Sequence, residues 1–405
     1  MNEQIIEQSE ALKPNFKGKQ NKALILGVGG IALGVIGYFT QSEQFFRSYL
    51  LAYIYWLSLS LGCLVILMIH HLAGGRWGFS IRRMLEAGTR TFGLMFILFL
   101  PILLGLHDLY SWTHAEAAND FFLSQKLPYL NVPFFIARAL FYFIVWGLLS
   151  YLLNKWSSQQ DQTTDTNPTH KLVNLSGPGV VAFALTATFA AVDWIMSLEP
   201  HWYSTMFAVI YMVGAALLTW AFIILVAVPL SNKEPLNQLL TNERLRDLGT
   251  FMLACVMLWA YTSFSQLLII WGGNLPEEIT WYMTRLHGGW LILGIALVAF
   301  HFLVPFVLLI SSQIKKRIPI LVTVAAGLML MRFLDLFWIT APAFREHGEF
   351  HAPLSFHWLD IVLLIGIGGL WVAYFFFQLQ KRPIIAMNDP RFEHLLGQED
   401  AHNHG

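Results

Sequence analysis

Ten long apolar runs limit what this chain can become more than any motif does. They are Ala23–Thr40, Ser48–His71, Thr91–Leu106, Pro133–Leu153, Pro178–Leu198, Trp202–Leu230, Leu248–Pro276, Leu286–Gln313, Ile318–Ala341 and Trp358–Gln380. About 20 mostly apolar residues suffice for a helix to cross the hydrocarbon core of a bilayer. The third run is short for that and is expected to reach Trp112, carrying His107 and Asp108 with it. Charged residues make up 12% of the chain, roughly half the 25% or so of a soluble domain. A soluble enzyme and a disordered chain are thereby excluded. A net charge of zero removes a nucleic-acid binder, which needs a basic surplus. The expected fold is an all-α polytopic membrane protein with ten transmembrane helices. Cys63 and Cys255 both lie in apolar runs, and there is no CxxCH motif; no thiolate metal site or iron–sulfur cluster is expected.

The first run follows a polar segment of 22 residues and lacks a small-x-small cleavage site at Gly37-Tyr38-Phe39, so it reads as a span rather than a signal peptide. Its Gly30-xxx-Gly34 pattern should let another helix approach closely. With the N-terminus inside, 19 Lys and Arg fall on the inner side and four (Arg47, Lys126, Arg285, Arg345) on the outer side, while Arg138 and Arg332 lie within spans. This bias places both termini in the cytoplasm, which for a bacterial chain means the inner membrane.

A weak self-similarity recurs at an offset of four helices. The segment Ser48–Tyr55 resembles Ser204–Tyr211, Gly88-Thr89 echoes Gly249-Thr250, and Asp193-x6-Pro200 matches Asp335-x6-Pro342. Matching helices lie an even number of crossings apart, as a parallel repeat requires. The expected organisation is a tail (1–22), a flanking helix and outer loop (23–47), two four-helix bundles (48–201 and 202–341), an outer loop with a second flanking helix (342–380) and a tail (381–405).

Charges at bilayer depth are costly and mark function by default. Here they gather in the outer half: His107 and Asp108, Arg138, Asp193, His287, Arg332 with Asp335, and Asp360. Arg332 and Asp335, three apart, share a helix face and can pair; structural salt bridges account for such groups as well as a site does. In the first bundle, His107, Arg138 and Asp193 form a candidate quinol-binding set, with His107 and Arg138 as donors to the head group. His107, Asp108 and Asp193 are candidate proton acceptors from a quinol. Haem is a competing reading, since His287 and His301 are 14 apart, roughly 21 Å along a helix, with His107 and His70 or His71 as partners in a dihaem cytochrome b. Those partners have no paired spacing of their own, and no metal or haem is expected on the chain. Loop and tail histidines (His347, His351, His357, His394, His402, His404) read as solvated.

The segments His70-His71-Leu-Ala-Gly-Gly-Arg76-Trp77, Ile81-Arg82-Arg83-Met84 and Ala191–Ser204, within ten spans arranged as two bundles, resemble the NrfD-like, polysulfide-reductase-type membrane subunits. The similarity is to the branch that supplies the shorter large membrane subunit of alternative complex III, a quinol:electron-carrier oxidoreductase. It extends from about Phe46 to Arg382, and Asp193–Ser204 is its most specific part. The resemblance implies a subunit without its own redox cofactor in a complex that oxidises menaquinol or ubiquinol near the outer face. The longer sister subunit is the better candidate for the main quinol pocket, and this chain contributes quinol binding, proton transfer or both. The implied partners are a longer sister subunit, an iron–sulfur protein and multihaem cytochromes c. A secondary transporter is the alternative that parallel repeats with intramembrane charges also describe.

Overall fold

The computed structural model describes residues 2–344 and 353–389. Among these every regular element is helical. Ten helices are long and apolar enough to cross a membrane: α1 (Gln4–Thr40), α2 (Ser42–Ala73), α3 (Arg76–Leu104), α4 (Val132–Gln160), α5 (Asn167–Leu198), α6 (Phe207–Leu230), α7 (Asn242–Gly273), α8 (Gly288–Ile310), α9 (Ile318–Phe344) and α10 (Trp358–Leu379). The chain is therefore an all-α polytopic membrane protein, and each predicted span has its helix. Arg345, His347, His351, Arg391, His394, His402 and His404 lie outside the described residues.

The helices pack in two groups of four. Helix α2 lies against α3 and α5, and α6 lies against α7 and α9. Helix α4 covers α5, and α8 covers α9. The two bundles meet where α2 runs along α6. That central position explains why α2 and α6 are apolar on all sides: a helix surrounded by helices has no polar face. Outside the bundles α1 lies along α10. A Cβ on Gly30 would sit 2.6 Å from the Gly366 Cα, and one on Gly369 would sit 2.5 Å from the Gly27 Cα. Only glycines allow two backbones to come this close, so the predicted small-residue face of α1 finds its partner in α10.

Three local features depart from the sequence expectation. The polar N-terminal segment continues α1 as helix from Asn2. It buries Ile5, Leu12 and Phe16, with Phe16 stacked on Phe376 and the Ile384 N–H donating to Ser9 Oγ. Arg82 and Arg83, expected in a connection, are on the first part of α3 and are buried. Arg82 pairs with Glu86 and Asp389, and Arg83 with Glu86 and Asp161. The third span also stops before His107: its helix ends at Leu104, and Gly105 turns the chain where Phe46 leaves no room for a side chain. A separate turn, Leu106–Leu109, then carries His107 and Asp108.

The face carrying the connections after α2, α4, α6 and α8 is the basic face. The other is the opposite face. At the latter, the short helix Pro276–Arg285 links α7 to α8. Arg285, counted from sequence as a loop charge, is fully buried there, donating to Glu199 and to the backbone oxygens of Trp281, Trp338 and Ile339.

Candidate functional site

The two equivalent aspartates organise the polar interior. Asp193 near the end of α5 is fully buried. Arg138 of α4 reaches it with two hydrogen bonds, Nε to Oδ2 at 2.8 Å and Nη2 to Oδ1 at 3.0 Å. The Tyr142 hydroxyl donates a third, at 2.7 Å. The guanidinium also donates to the Tyr129 carbonyl and packs on the Tyr129 and Phe134 rings. Bidentate Arg–carboxylate pairing of this kind is among the stronger buried contacts. The charge of Asp193 is thus met across the bundle rather than left uncompensated. Space around the pair is filled, since Trp194 packs on Phe99, Phe143 and Trp146.

His107 and Asp108 do not join that pair. Both are exposed, and the His107 ring stacks on His114 at 4.2 Å. The structure brings together Arg138 and Asp193 from the first-bundle set and leaves the other two at the surface. Asp360 closes a capping box with His357 at the start of α10 and accepts a hydrogen bond from Ser48. His287 is exposed as the N-cap of α8, its ring bonded to the Met283 carbonyl. Asp360 and His287 are helix-end groups.

The second bundle holds a cavity. A cleft of about 710 Å³ opens between α7 and α8 and is floored by α6 and α9. Its walls are apolar and aromatic, and its mouth is formed by Tyr261, Phe264, Ile295 and Val298, all of which face outward from the protein. Asp335 lies on its floor. Arg332, three residues earlier on α9, pairs with that carboxylate, and Trp259 Nε1 donates to Oδ2 at 3.1 Å. Arg332 lies across α6 at Gly214, where only a missing side chain leaves space for the guanidinium. Toward the opposite face, the cleft is lined by Gln266 and Tyr282, which are bonded to each other.

Behind Trp259 sits His301, fully buried, with ring centroids 4.1 Å apart. Neither ring nitrogen has a hydrogen-bond partner among the described residues. It lies in a π-helical stretch of α8, Leu297–Leu303, a distortion that often accompanies functional sites. The ring packed against His301 is the Trp259 indole.

Sequence reasoning placed Asp335 and Arg332 together, as part of a proton path or as a structural ion pair with Asp360 and His287, and it missed Trp259, Gln266 and Tyr282 as lining residues. One signal was present. Trp259 and Gln266 are seven apart and so share a face of α7, the face turned to the cleft. The chain matches no protein-family model, and a search of curated proteins finds no relative.

Proposed function

We propose that this chain is a quinone-binding membrane subunit of an electron-transfer complex, and that the head group enters the α7–α8 cleft. The observation that carries this reading is an apolar cleft, open sideways at bilayer depth, with one buried carboxylate at its floor. A quinone has the same division. Its isoprenoid tail asks only for greasy walls and a lateral exit, while its ring oxygens need a few fixed polar groups. Asp335, paired with Arg332, accepts the hydroxyl hydrogen of a quinol and then its proton. Trp259 Nε1, already turned to the floor, is a donor for the quinone oxygen that results. Electrons would leave to carriers held by partner subunits, as the resemblance to NrfD-like subunits of alternative complex III implies. This reading moves the head group away from His107, Arg138 and Asp193, where the first bundle is packed closed. Its orientation follows the charge bias: the basic face is cytoplasmic and the cleft lies toward the outer leaflet.

The test is photoaffinity labelling of the purified complex with an azidoquinone, mapped by peptide mass spectrometry. Label should fall within 257–267 and 291–302 and be displaced by excess quinol. Asp335→Asn should assemble yet slow quinol oxidation about a hundredfold, the range of a lost general base. Label on α4 and α5 around Arg138, with normal turnover in Asp335→Asn, would return the site to the first bundle.

A further inference from the structure

A second cavity lies at the basic face, far along the chain from the aspartates. It has a volume of about 480 Å³ and is bordered by Arg90 in the middle of α3, by the last turns of α4 and by the segment after α10. Three cations border it: Arg90, Lys155 and Arg382. Asn154 fixes the two arginines. Its Oδ1 accepts from Arg90 Nε at 2.7 Å, and its backbone oxygen accepts from Arg382 Nη2 at 2.8 Å. Each guanidinium nevertheless keeps a buried nitrogen without a hydrogen-bond partner among the described residues, Nη2 on Arg90 and Nη1 on Arg382. The nearest carboxylate oxygen to the latter, Glu86 Oε2, is 3.6 Å away.

That carboxylate is already engaged. Glu86 is bound by Arg82, Arg83 and Ser157, Asp161 by Arg83, and Asp389 by Arg82. Among the described residues the network and cavity together hold five cations and three carboxylates, so the positive excess falls on the cavity side. Burial pushes the Arg382 guanidinium down to about 10, with Arg90 and Arg83 adding to the push and Glu86 opposing it. An anion seated here would relieve that imbalance.

The surroundings narrow down the anion. Phe141, Ile144, Leu148 and Tyr151 form an outward apolar strip along α4, spaced three or four residues apart, and Tyr151 lines the cavity itself. A ligand with a phosphate at one end and long acyl chains at the other would use both features. Basic pockets at the ends of spanning helices recognise anionic lipid head groups in this way. We propose that the cavity at Arg90, Lys155 and Arg382 is a binding site for the phosphate head group of an anionic phospholipid, whose acyl chains lie along α4. The site is independent of the quinone reading; it needs only that the chain sit in a bilayer.

The experiment uses the full chain purified in neutral detergent. Phosphatidylglycerol, phosphatidylcholine and inorganic phosphate are titrated separately, with native mass spectrometry and thermal unfolding as readouts. Phosphatidylglycerol should bind saturably and raise the melting temperature, with phosphatidylcholine at least tenfold weaker. Lys155 is exposed and Ser158 is partly exposed at the rim, so variants at these positions should fold even if Arg90→Gln does not. Lys155→Gln should weaken phosphatidylglycerol about fivefold, the effect of one basic residue at an anionic membrane surface, and Ser158→Asp should weaken it further. Equal affinity for the two lipids would overturn the proposal, as would unchanged affinity in both variants. Protection by inorganic phosphate at the same concentrations would also overturn it, by making the cavity a soluble-anion site.

Discussion

Gly214→Ala tests whether the Arg332–Asp335 pair is a fixed part of the cleft floor. An alanine Cβ at this position would lie 2.5 Å from Nη1 and 2.6 Å from Nε of Arg332, against 3.4–4 Å for ordinary contact. The guanidinium has little room to retreat. It is fully buried, its Nη2 donates to the Tyr211 carbonyl at 3.3 Å, and its Nη1 holds Asp335. Overpacking of a filled interior costs about 1–3 kcal/mol. Should the methyl group expel Arg332 from Asp335, breaking a buried pair costs about 3–5 kcal/mol. Helix propensity works the other way, favouring alanine over glycine by about 1 kcal/mol.

A matched control removes that last contribution. A Cβ at Gly147 on α4 meets no atom within 4 Å, so Gly147→Ala keeps the propensity gain and adds no clash. The two variants should therefore differ by about 3 kcal/mol, the middle of the combined steric range. Reversible unfolding in mixed micelles measures the difference directly. If Gly214→Ala falls within about 0.5 kcal/mol of Gly147→Ala, Arg332 can leave the groove in α6 freely, and the cleft floor is not held by it.

The Arg138–Asp193 contact should behave as a clamp between α4 and α5: a double-mutant cycle of Arg138→Gln and Asp193→Asn should give a coupling above about 1.5 kcal/mol, whereas additive losses would reduce it to two independent helix-packing groups. At the opposite face, Asp120 caps the turn Phe121–Ser124, and the Leu123 N–H, His201 and the Phe122 N–H hold its carboxyl below the usual carboxylate range. A depressed carboxylate contributes fully above its unfolded value, near pH 4, and is lost as pH falls through the lower folded value. Exchange protection of the Leu123 amide should thus survive acidification through about pH 4 and be absent at every pH in Asp120→Ala; loss already at pH 5 would contradict this assignment.

The spans were legible because a bilayer demands long apolar runs, and such runs are local in sequence. The pairing of Arg332 with Asp335 was legible for the same reason, since three residues on a helix fix a shared face. Groups that depend on distant partners were harder to read. Arg82 and Arg83 look like loop charges until Asp161 and Asp389 arrive to neutralise them. Arg285 looks like an outer loop residue until Glu199 and the end of α9 close over it. His107 and Asp108 seemed to continue a span toward Arg138, but Gly105, pressed against Phe46, ends the helix first. The cleft has no local signature beyond the shared face of Trp259 and Gln266. It is space left between four helices, each of which contributes side chains that would be unremarkable in a packed core.

The source of each cation explains why that space falls in the second bundle. Asp193 and Asp335 occupy matching positions, yet their cations come from different places. In the first bundle the cation is on the neighbouring helix, so neutralising Asp193 draws α4 onto α5. The next residue, Trp194, then fills the interior with Phe99, Phe143 and Trp146 around it. In the second bundle Arg332 comes from the same helix as Asp335, and the residue after the aspartate is Leu336. No partner helix has to supply the cation for this carboxylate, although Trp259 of α7 donates to it, and the smaller side chain fills less of the interior. Helix α8 is free to stand away from α7, and its π-helical stretch around His301 lies where the two diverge along the cleft. The same buried carboxylate therefore fastens one bundle and leaves the other open, and the choice is made by which helix carries the arginine.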